Sequence, residues 1–279
     1  LLRANTKPPV ELVVADLDLD DAGVKNMKFT IVTVCYNAEK NIEATIRSLL
    51  EQTCDEYEYI IKDGLSSDST LKIVYSLLEN KRNIHIISSP DTGIYDAMNQ
   101  ALEIAQGEYV FFLNAGDCFA DENVLAKIRD ISAKVDGDIL YGNVYRINES
   151  GRILRRYGAI CKSKFFFSLG DCICHQALFA RKELFEKRKF DLTYKVCADR
   201  EWQLFYIDKN VKMIAVHFVI ANVQMDGFSN THIEDLEQET QYCLDKYCMR
   251  IAWLYKWQLK IKKNQVVSSV LHLMNIIKD

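Results

Sequence analysis

Between Lys28 and Asn143 short apolar runs alternate regularly with amphipathic stretches, and this alternation restricts the chain to a narrow set of folds. Phe29-Thr-Ile-Val-Thr-Val-Cys35 is an unbroken β-branched and apolar run, the pattern of a strand buried on both faces. A polar turn at Tyr36-Asn37-Ala38 follows, and Ile42, Ile46, Leu49 and Leu50 then recur at helical spacing. The cycle repeats as a strand over Tyr57–Lys62, a helix carrying Leu71, Val74, Leu77 and Leu78, and a strand over Ile84–Ile87. Ile94, Met98, Ala101, Leu102 and Ala105 make another helix, for which Gly107 is the expected C-terminal cap. Tyr109–Leu113 and Ile139–Tyr141 supply a fourth and a fifth strand.

This order predicts an α/β fold with a mainly parallel sheet and helices on both faces. Such sheets bind ligands outside the carboxyl ends of their strands, near a topological switch point. Asp63, Asp91 and Asp117 each follow a strand end, so the rule gathers them around one crevice. The second half is less regular: a strand over Ala177–Ala180, a helix over Ala198–Ile207, two strands over Lys212–Ala215 and Phe218–Val223, and helix from His232 onward.

A length of 279 residues, 49% hydrophobic and 27% charged, suits one large domain with appendages. The formal net charge of -4 argues against a general nucleic-acid binder. The nine cysteines are odd in number and lack CxxC spacing, which reads as reduced core residues in a cytoplasmic protein. No stretch reaches the roughly 18 apolar residues of a membrane span. Leu1–Pro9 leads into the acidic stretch Asp16–Asp21, unlike a signal peptide. Residues 1–27 are therefore expected as an extension, 28–230 as the main domain and 231–279 as a helical tail.

Asn114-Ala115-Gly116-Asp117 places a carboxylate beside a glycine at the end of an apolar strand. Divalent cations that bridge diphosphates take such carboxylates and leave coordination positions for phosphate. The same four residues also read as an Asx turn into a helix starting near Asp121.

The chain resembles the family 2 inverting glycosyltransferases of the GT-A fold, within them the colanic-acid and exopolysaccharide type. The resemblance is carried by Thr30-Ile-Val-Thr-Val-Cys-Tyr-Asn37, Ile60-Ile-Lys-Asp-Gly-Leu-Ser-Ser-Asp-Ser-Thr70, Ser89-Pro-Asp-Thr-Gly-Ile-Tyr-Asp-Ala-Met-Asn99, Gly107-Glu-Tyr-Val-Phe-Phe-Leu-Asn-Ala-Gly-Asp117, Cys174-His-Gln176 and Ala198-Asp-Arg-Glu-Trp202, in the family's order over residues 28 to about 230. It implies a Rossmann-like sheet, a nucleotide-sugar donor, preferably a UDP-sugar, and a Mn2+ or Mg2+ cofactor. The implied acceptor is a glycan or a lipid-linked glycan.

By this resemblance, Thr33 and Tyr36 help hold the nucleotide and Asp63 accepts a hydrogen bond from the base. Asp91 and Asn99 line the nucleotide pocket, Asp96 orders that loop, and Asn114 hydrogen-bonds ribose. Asp117 matches the metal-binding aspartate, although the usual first carboxylate of that motif is Asn114 here. Asp199 matches the catalytic base that takes the acceptor's proton. On its own it also reads as a helix N-terminal charge complementing the dipole, and Glu201 is the fallback base. His175 and Gln176 are assigned to the acceptor or diphosphate side. Gly227 and Ser229 belong to a loop, Asp226–Ser229, that closes over the donor.

Tyr242–Asp279 mixes Trp253, Tyr255 and Trp257 with Arg250, Lys256, Lys260, Lys262 and Lys263, the composition of a segment lying in a membrane interface. The expected location is cytoplasmic, peripheral on the inner face of the cell membrane. The alternatives are a sugar-phosphate nucleotidyltransferase, disfavoured because Cys35-Tyr36-Asn37-Ala38 lacks a glycine-rich phosphate loop, and a non-catalytic nucleotide-sugar-binding subunit. The absence of GxGxxG after the first strand excludes a dinucleotide-binding dehydrogenase. Without a Gln-x-x-Arg-Trp string, single-sugar addition is expected rather than processive synthesis.

Overall fold

The computed structural model describes residues 13–14, 27–148, 151–157, 165, 167, 172–224 and 232–263. In chain order the elements are β1 (Val13–Val14), β2 (Phe29–Cys35), α1 (Ile42–Leu50), β3 (Tyr57–Asp63), α2 (Thr70–Leu78), β4 (Ile84–Ser88), α3 (Ile94–Leu102), β5 (Tyr109–Phe112) and β6 (Cys118–Phe119). They continue as α4 (Val124–Ser132), β7 (Ile139–Ile147), β8 (Ile153–Tyr157), β9 (Leu178–Arg181), α5 (Lys182–Lys187), α6 (Ala198–Asp208), β10 (Met213–Gln224), α7 (Ile233–Tyr247) and α8 (Trp253–Lys263).

One sheet carries all the strands in the order β1-β4-β3-β2-β5-β9-β7-β10-β6, with β8 beside β7. β4, β3, β2 and β5 run parallel, as do β7 and β10. β9 enters antiparallel between β5 and β7 and joins the two parallel blocks into a mixed sheet. The chain adds β3 and β4 on one side of β2 and β5 on the other, so the switch point lies between β2 and β5. The loops leaving those two strands contain Tyr36 and Asn114–Asp117.

The apolar run of β2 is continuous because both faces are covered. Phe29 and Ile31 pack with Ile42, Ile46 and Leu49 of α1, while Val32 and Val34 pack with Met98 and Ala101 of α3. Burying each such side chain stabilises the fold by about 1.5–3 kcal/mol. The second face also takes in Trp202 of α6, Phe167, and Cys243, Leu244, Cys248, Ala252 and Tyr255 from the C-terminal helices. Those helices therefore complete the core and are not a detached appendage.

Three expectations need revision. Val13–Val14 pairs antiparallel with His85 and Ile86 at the sheet edge, so part of the leading segment joins the sheet. The two strands expected over 212–223 are one strand, β10, whose pairing with β7 slips between Ala215 and Val219 and again between Val219 and Ala221. A bulge of this kind interrupts the alternation that marks a single strand. Gly107 is not a helix cap, since α3 ends at Leu102. Its N–H reaches Thr30 Oγ1 at 2.9 Å and Glu58 Oε1 at 3.0 Å, and a Cβ there would stand 2.4 Å from the backbone of Phe29 and Thr30. Glycine is required for close backbone approach.

Among the described residues no cysteines form a disulfide, and no helix is long and apolar enough to cross a membrane.

Candidate active site

The loops that follow β2 and β3 lock each other beside the switch point. Asn37 takes a positive φ of 48°, and its side-chain oxygen accepts the Ser67 N–H at 2.9 Å. The N–H groups of Asn37, Ala38 and Glu39 reach Ser66 Oγ, Thr70 Oγ1 and Asp68 Oδ2, and Glu39 returns a bond to the Ser69 N–H. This polar lattice fixes the turn from which Tyr36 projects, 66% exposed, as a free aromatic face. A Cβ on Gly64 would lie 3.5 Å from that ring and 2.9 Å from Asp91 Oδ2, so Tyr36 and Asp91 flank the same point.

Asp63 ends β3 and is fully buried. Its Oδ2 accepts the Ser66 N–H at 3.0 Å and the Ser88 hydroxyl at 2.8 Å, and Cys35 Sγ lies 3.8 Å from Oδ1. Asp91 pairs at 2.9 Å with Lys62, whose fully buried ammonium also donates to the carbonyls of Asp63 and Ser89. A buried lysine is tolerable only with all its donors engaged. Lys62 was not anticipated, because its strand also carries Glu58 and Asp63 and the cation does not stand out among them. Asp96 accepts bonds from the Thr92 N–H and hydroxyl at the start of α3.

Two expected nucleotide contacts turn inward instead. Thr33 is fully buried, donating to the Leu113 carbonyl at 2.7 Å and accepting from the Tyr59 hydroxyl at 2.9 Å, which ties β2, β3 and β5 together. Asn99 exchanges both of its amide bonds with the backbone of Phe190, at 2.9 and 3.0 Å. Both are braces under the site, with their polar groups already satisfied.

On the β5 side, the Asp117 N–H closes a tight turn onto the Asn114 carbonyl at 2.9 Å, and Gly116 holds a φ of 103° in it. A side chain at that φ is strained, so the turn demands glycine. Asp117 is buried; Gln176 Nε2 donates to its Oδ2 at 2.8 Å and the Gln224 N–H to its Oδ1 at 3.1 Å. Burial pushes its carboxyl up to about 6, against the pull of Gln176, Gln224 and His175.

His175 and Gln176 form one short helical turn before β9 and face opposite tasks. While Gln176 holds Asp117, His175 Nε2 lies 2.9 Å from Asn114 Nδ2 and its Nδ1 lies 3.3 Å from Asp199 Oδ2. Asp199 stands in the first turn of α6, where its Oδ1 also accepts from the Tyr95 hydroxyl at 2.9 Å and the Arg200 N–H at 2.8 Å. Burial alone would raise this carboxyl. The His175 bond and charge, followed by Tyr95 and Arg200, overcome it and leave the pKa lowered. Asp199 is thus ionised at neutral pH.

Glu201 is no alternative base. It is fully buried, bound by both oxygens to Arg188 at 2.7 and 2.9 Å, and it also takes bonds from Lys246 and Tyr247. It faces α7, away from Asp199. Gly227 and Ser229, with the rest of the Asp226–Ser229 loop, lie outside the described residues.

No group of three metal-ligating side chains occurs among the described residues. Asp117 nevertheless suits a cation that a diphosphate helps to hold. Each of its oxygens accepts one protein hydrogen bond and keeps a second lone pair, and burial raises its pKa, so a bound divalent cation would offset the cost of the buried charge. Mg2+ and Mn2+ are commonly held by one or two carboxylates with water and phosphate completing the shell.

The solved structures similar to this one share its fold. TarS residues 1–349 of S. aureus, in complex with UDP, matches with a TM-score of 0.62 and 19% identity over 88% of this chain and 75% of that one. A mannosyltransferase of Pyrobaculum calidifontis, in complex with GDP-Man and Mn2+, matches with a TM-score of 0.62 and 16% identity over 98% of this chain and 80% of that one. In sequence, a PGL/p-HBAD biosynthesis glycosyltransferase of Mycobacterium tuberculosis is 30% identical over 211 residues, 74% of this chain and 80% of its own. A poly(ribitol-phosphate) beta-glucosyltransferase of Bacillus spizizenii is 26% identical over 72% of this chain, which spans 35% of that longer protein. The family model described as Glycosyl transferase family 2 matches residues 30–188, more than half of the chain. The mixed sheet of the GT-A type is thus accompanied by a family match over more than half of the sequence, and the chain belongs to glycosyltransferase family 2.

Proposed function

We propose that this glycosyltransferase moves a single sugar, with inversion, from a UDP-sugar to a hydroxyl of a glycan or lipid-linked glycan during synthesis of a cell-surface polysaccharide or glycolipid. The narrower likeness to exopolysaccharide and colanic-acid-type transferases is part of the same proposal. The observation that carries it is the His175-Gln176 bridge, which joins Asp117 and Asp199 through consecutive residues.

In this reading the nucleotide lies across Tyr36, with Asp91 beside it and Asp63 beneath. UDP is preferred on the match to the UDP complex of TarS. Asp117 would hold the divalent cation, which neutralises the leaving diphosphate when bound. Asp199 accepts the proton of the incoming hydroxyl while that oxygen bonds to the anomeric carbon. The bond from that carbon to the diphosphate oxygen breaks, and its electron pair leaves with the nucleotide. Because Asp199 is ionised well below neutral pH, it takes the proton in step with carbon–oxygen bond formation. His175 and Tyr95 keep its carboxylate oriented through the transfer.

The C-terminal helices add a surface. Trp253 and Trp257 lie one turn apart on α8, 60% and 59% exposed, with Met249 80% exposed nearby and Lys256 and Lys260 on the same helix. Exposed indoles with lysines match an anionic membrane interface, where a lipid-linked acceptor would reside.

The donor assignment is tested by thermal shift with UDP-, GDP- and dTDP-sugars, with and without Mn2+, since a ligand of the native state raises its stability. A UDP-sugar with Mn2+ should give the largest increase in Tm. Stabilisation by GDP- or dTDP-sugars alone would overturn the nucleotide assignment.

A further inference from the structure

The N-terminus of α6, which carries Asp199, has no side-chain cap of its own. Its anchor comes from another element. The carboxylate of Glu239, in the middle of α7, accepts three successive backbone N–H groups: Lys195 at 2.8 Å, Val196 at 2.9 Å and Cys197 at 2.9 Å. The same stretch is gripped from the other side by Tyr95, whose hydroxyl lies 2.8 Å from the Val196 carbonyl and 2.9 Å from Asp199 Oδ1. The Cys197 carbonyl in turn accepts the Glu201 N–H, the first bond that commits the chain to α6.

We infer that Glu239 is a positioning residue for Asp199: from the C-terminal helix it fixes residues 195–197, and with Tyr95 it sets where the base stands. The inference rests on the reading of Asp199 as base. It assigns a role in catalysis to a helix that lies after the family match ends at residue 188.

The physical basis is that three charge-assisted bonds from one helix satisfy three successive N–H groups just before α6, beside the core packing of Val196 and Cys197. The base must stay within a fraction of an ångström of its productive position, and misplacement by 1 Å reduces turnover by about 10²-fold. Glu239→Gln retains the shape and one acceptor oxygen but replaces the other with an NH2 group, which cannot accept.

The test measures UDP release from the UDP-sugar selected by the thermal-shift screen, with water as acceptor, together with UDP affinity in Mn2+ and amide hydrogen exchange. Glu239→Gln should speed exchange at residues 195–197 and lower kcat by about 10²-fold, with UDP affinity within about twofold of wild type. Glu234→Gln, exposed on the same helix, should behave as wild type. Glu239→Asp, which keeps the charge, should recover part of the loss. Tyr95→Phe should lower kcat as well, and the double variant with Glu239→Gln should fall short of the product of the two effects, because both act on one segment. If Glu239→Gln does not fold, Tyr95→Phe and Glu239→Asp carry the test. Unchanged kcat despite faster exchange at 195–197 would overturn the inference. Full activity in Asp199→Asn would instead remove the base assignment beneath it.

Discussion

The side-chain amide of Gln176 donates a 2.8 Å hydrogen bond to Asp117 Oδ2 across 59 positions of sequence. The bond does two jobs. It holds one carboxylate oxygen in a fixed direction, and it offsets part of the burial that raises the Asp117 pKa. A ligand-orienting partner of this sort typically accounts for 10- to 100-fold in metal affinity.

Gln176→Leu should therefore weaken Mn2+ binding by at least about tenfold at pH 7, measured by calorimetry with UDP present. The bond lost is one that lowers the Asp117 pKa, so protons compete more strongly with the cation.

Asp117 also gives the cation-free protein a pH signature. Its folded-state value of about 6 lies above the model value of 3.8. The folded protein therefore binds the proton more tightly than the unfolded chain, and the resulting stability is complete below about pH 4 and lost as pH rises through about 6. The span is worth up to about 3 kcal/mol. Urea unfolding without cation should show this decline in wild type and a flatter profile in Asp117→Asn. Mn2+ should restore stability to wild type above pH 6 and leave the variant unchanged.

Glu201→Gln should separate structure from catalysis. It strips the counter-charge from Arg188 and Lys246 at a fully buried position, so a loss of about 3 kcal/mol is expected. The kcat of the folded protein should stay within about tenfold of wild type, because Glu201 faces α7. Chemical denaturation and turnover measured on the same preparation check both parts.

Replacing Trp253 and Trp257 together by Ser should release the protein from vesicles containing anionic lipid while leaving its unfolding midpoint nearly unchanged, since both indoles are exposed. Removal of residues 242–279 is a poorer probe. It takes away Cys243, Leu244 and Tyr255 from the core and would unfold the protein for reasons unrelated to membranes. Vesicle sedimentation reads the first experiment, and wild-type partitioning of the double variant would dismiss α8 as the membrane contact.

The first half of the fold was legible because β2 and β5 are buried on both faces and read as short β-branched and apolar runs, with β3 and β4 repeating the strand–helix alternation between amphipathic helices. The second half was harder. The bulges of β10 broke one strand into two apparent ones, and β9 reverses direction in the sheet, which no local pattern encodes. At the site, Asp117 and Asp199 could be picked out from motifs, but their link could not, since it depends on His175 and Gln176 meeting residues 61 and 59 positions earlier and, for Asp199, 24 later. Thr33 and Asn99 were misread as ligand contacts because a polar side chain near a strand end looks the same whether it faces a nucleotide or braces a neighbouring backbone. Glu239 and Lys62 were missed for a related reason: their partners are carbonyls, backbone amides and one distant carboxylate, which leave no residue signature.

The role of Asp199 is tested most directly by Asp199→Asn, assayed for UDP release from the selected UDP-sugar in Mn2+ alongside UDP binding. Asparagine keeps the shape and one acceptor oxygen, enough for the bonds from Tyr95 and Arg200, but cannot take a proton. Turnover should fall by about 10²–10⁴-fold with UDP affinity preserved. Wild-type turnover in this variant would contradict the account, because the carboxylate joined to Asp117 through His175-Gln176 would then have no part in the transfer.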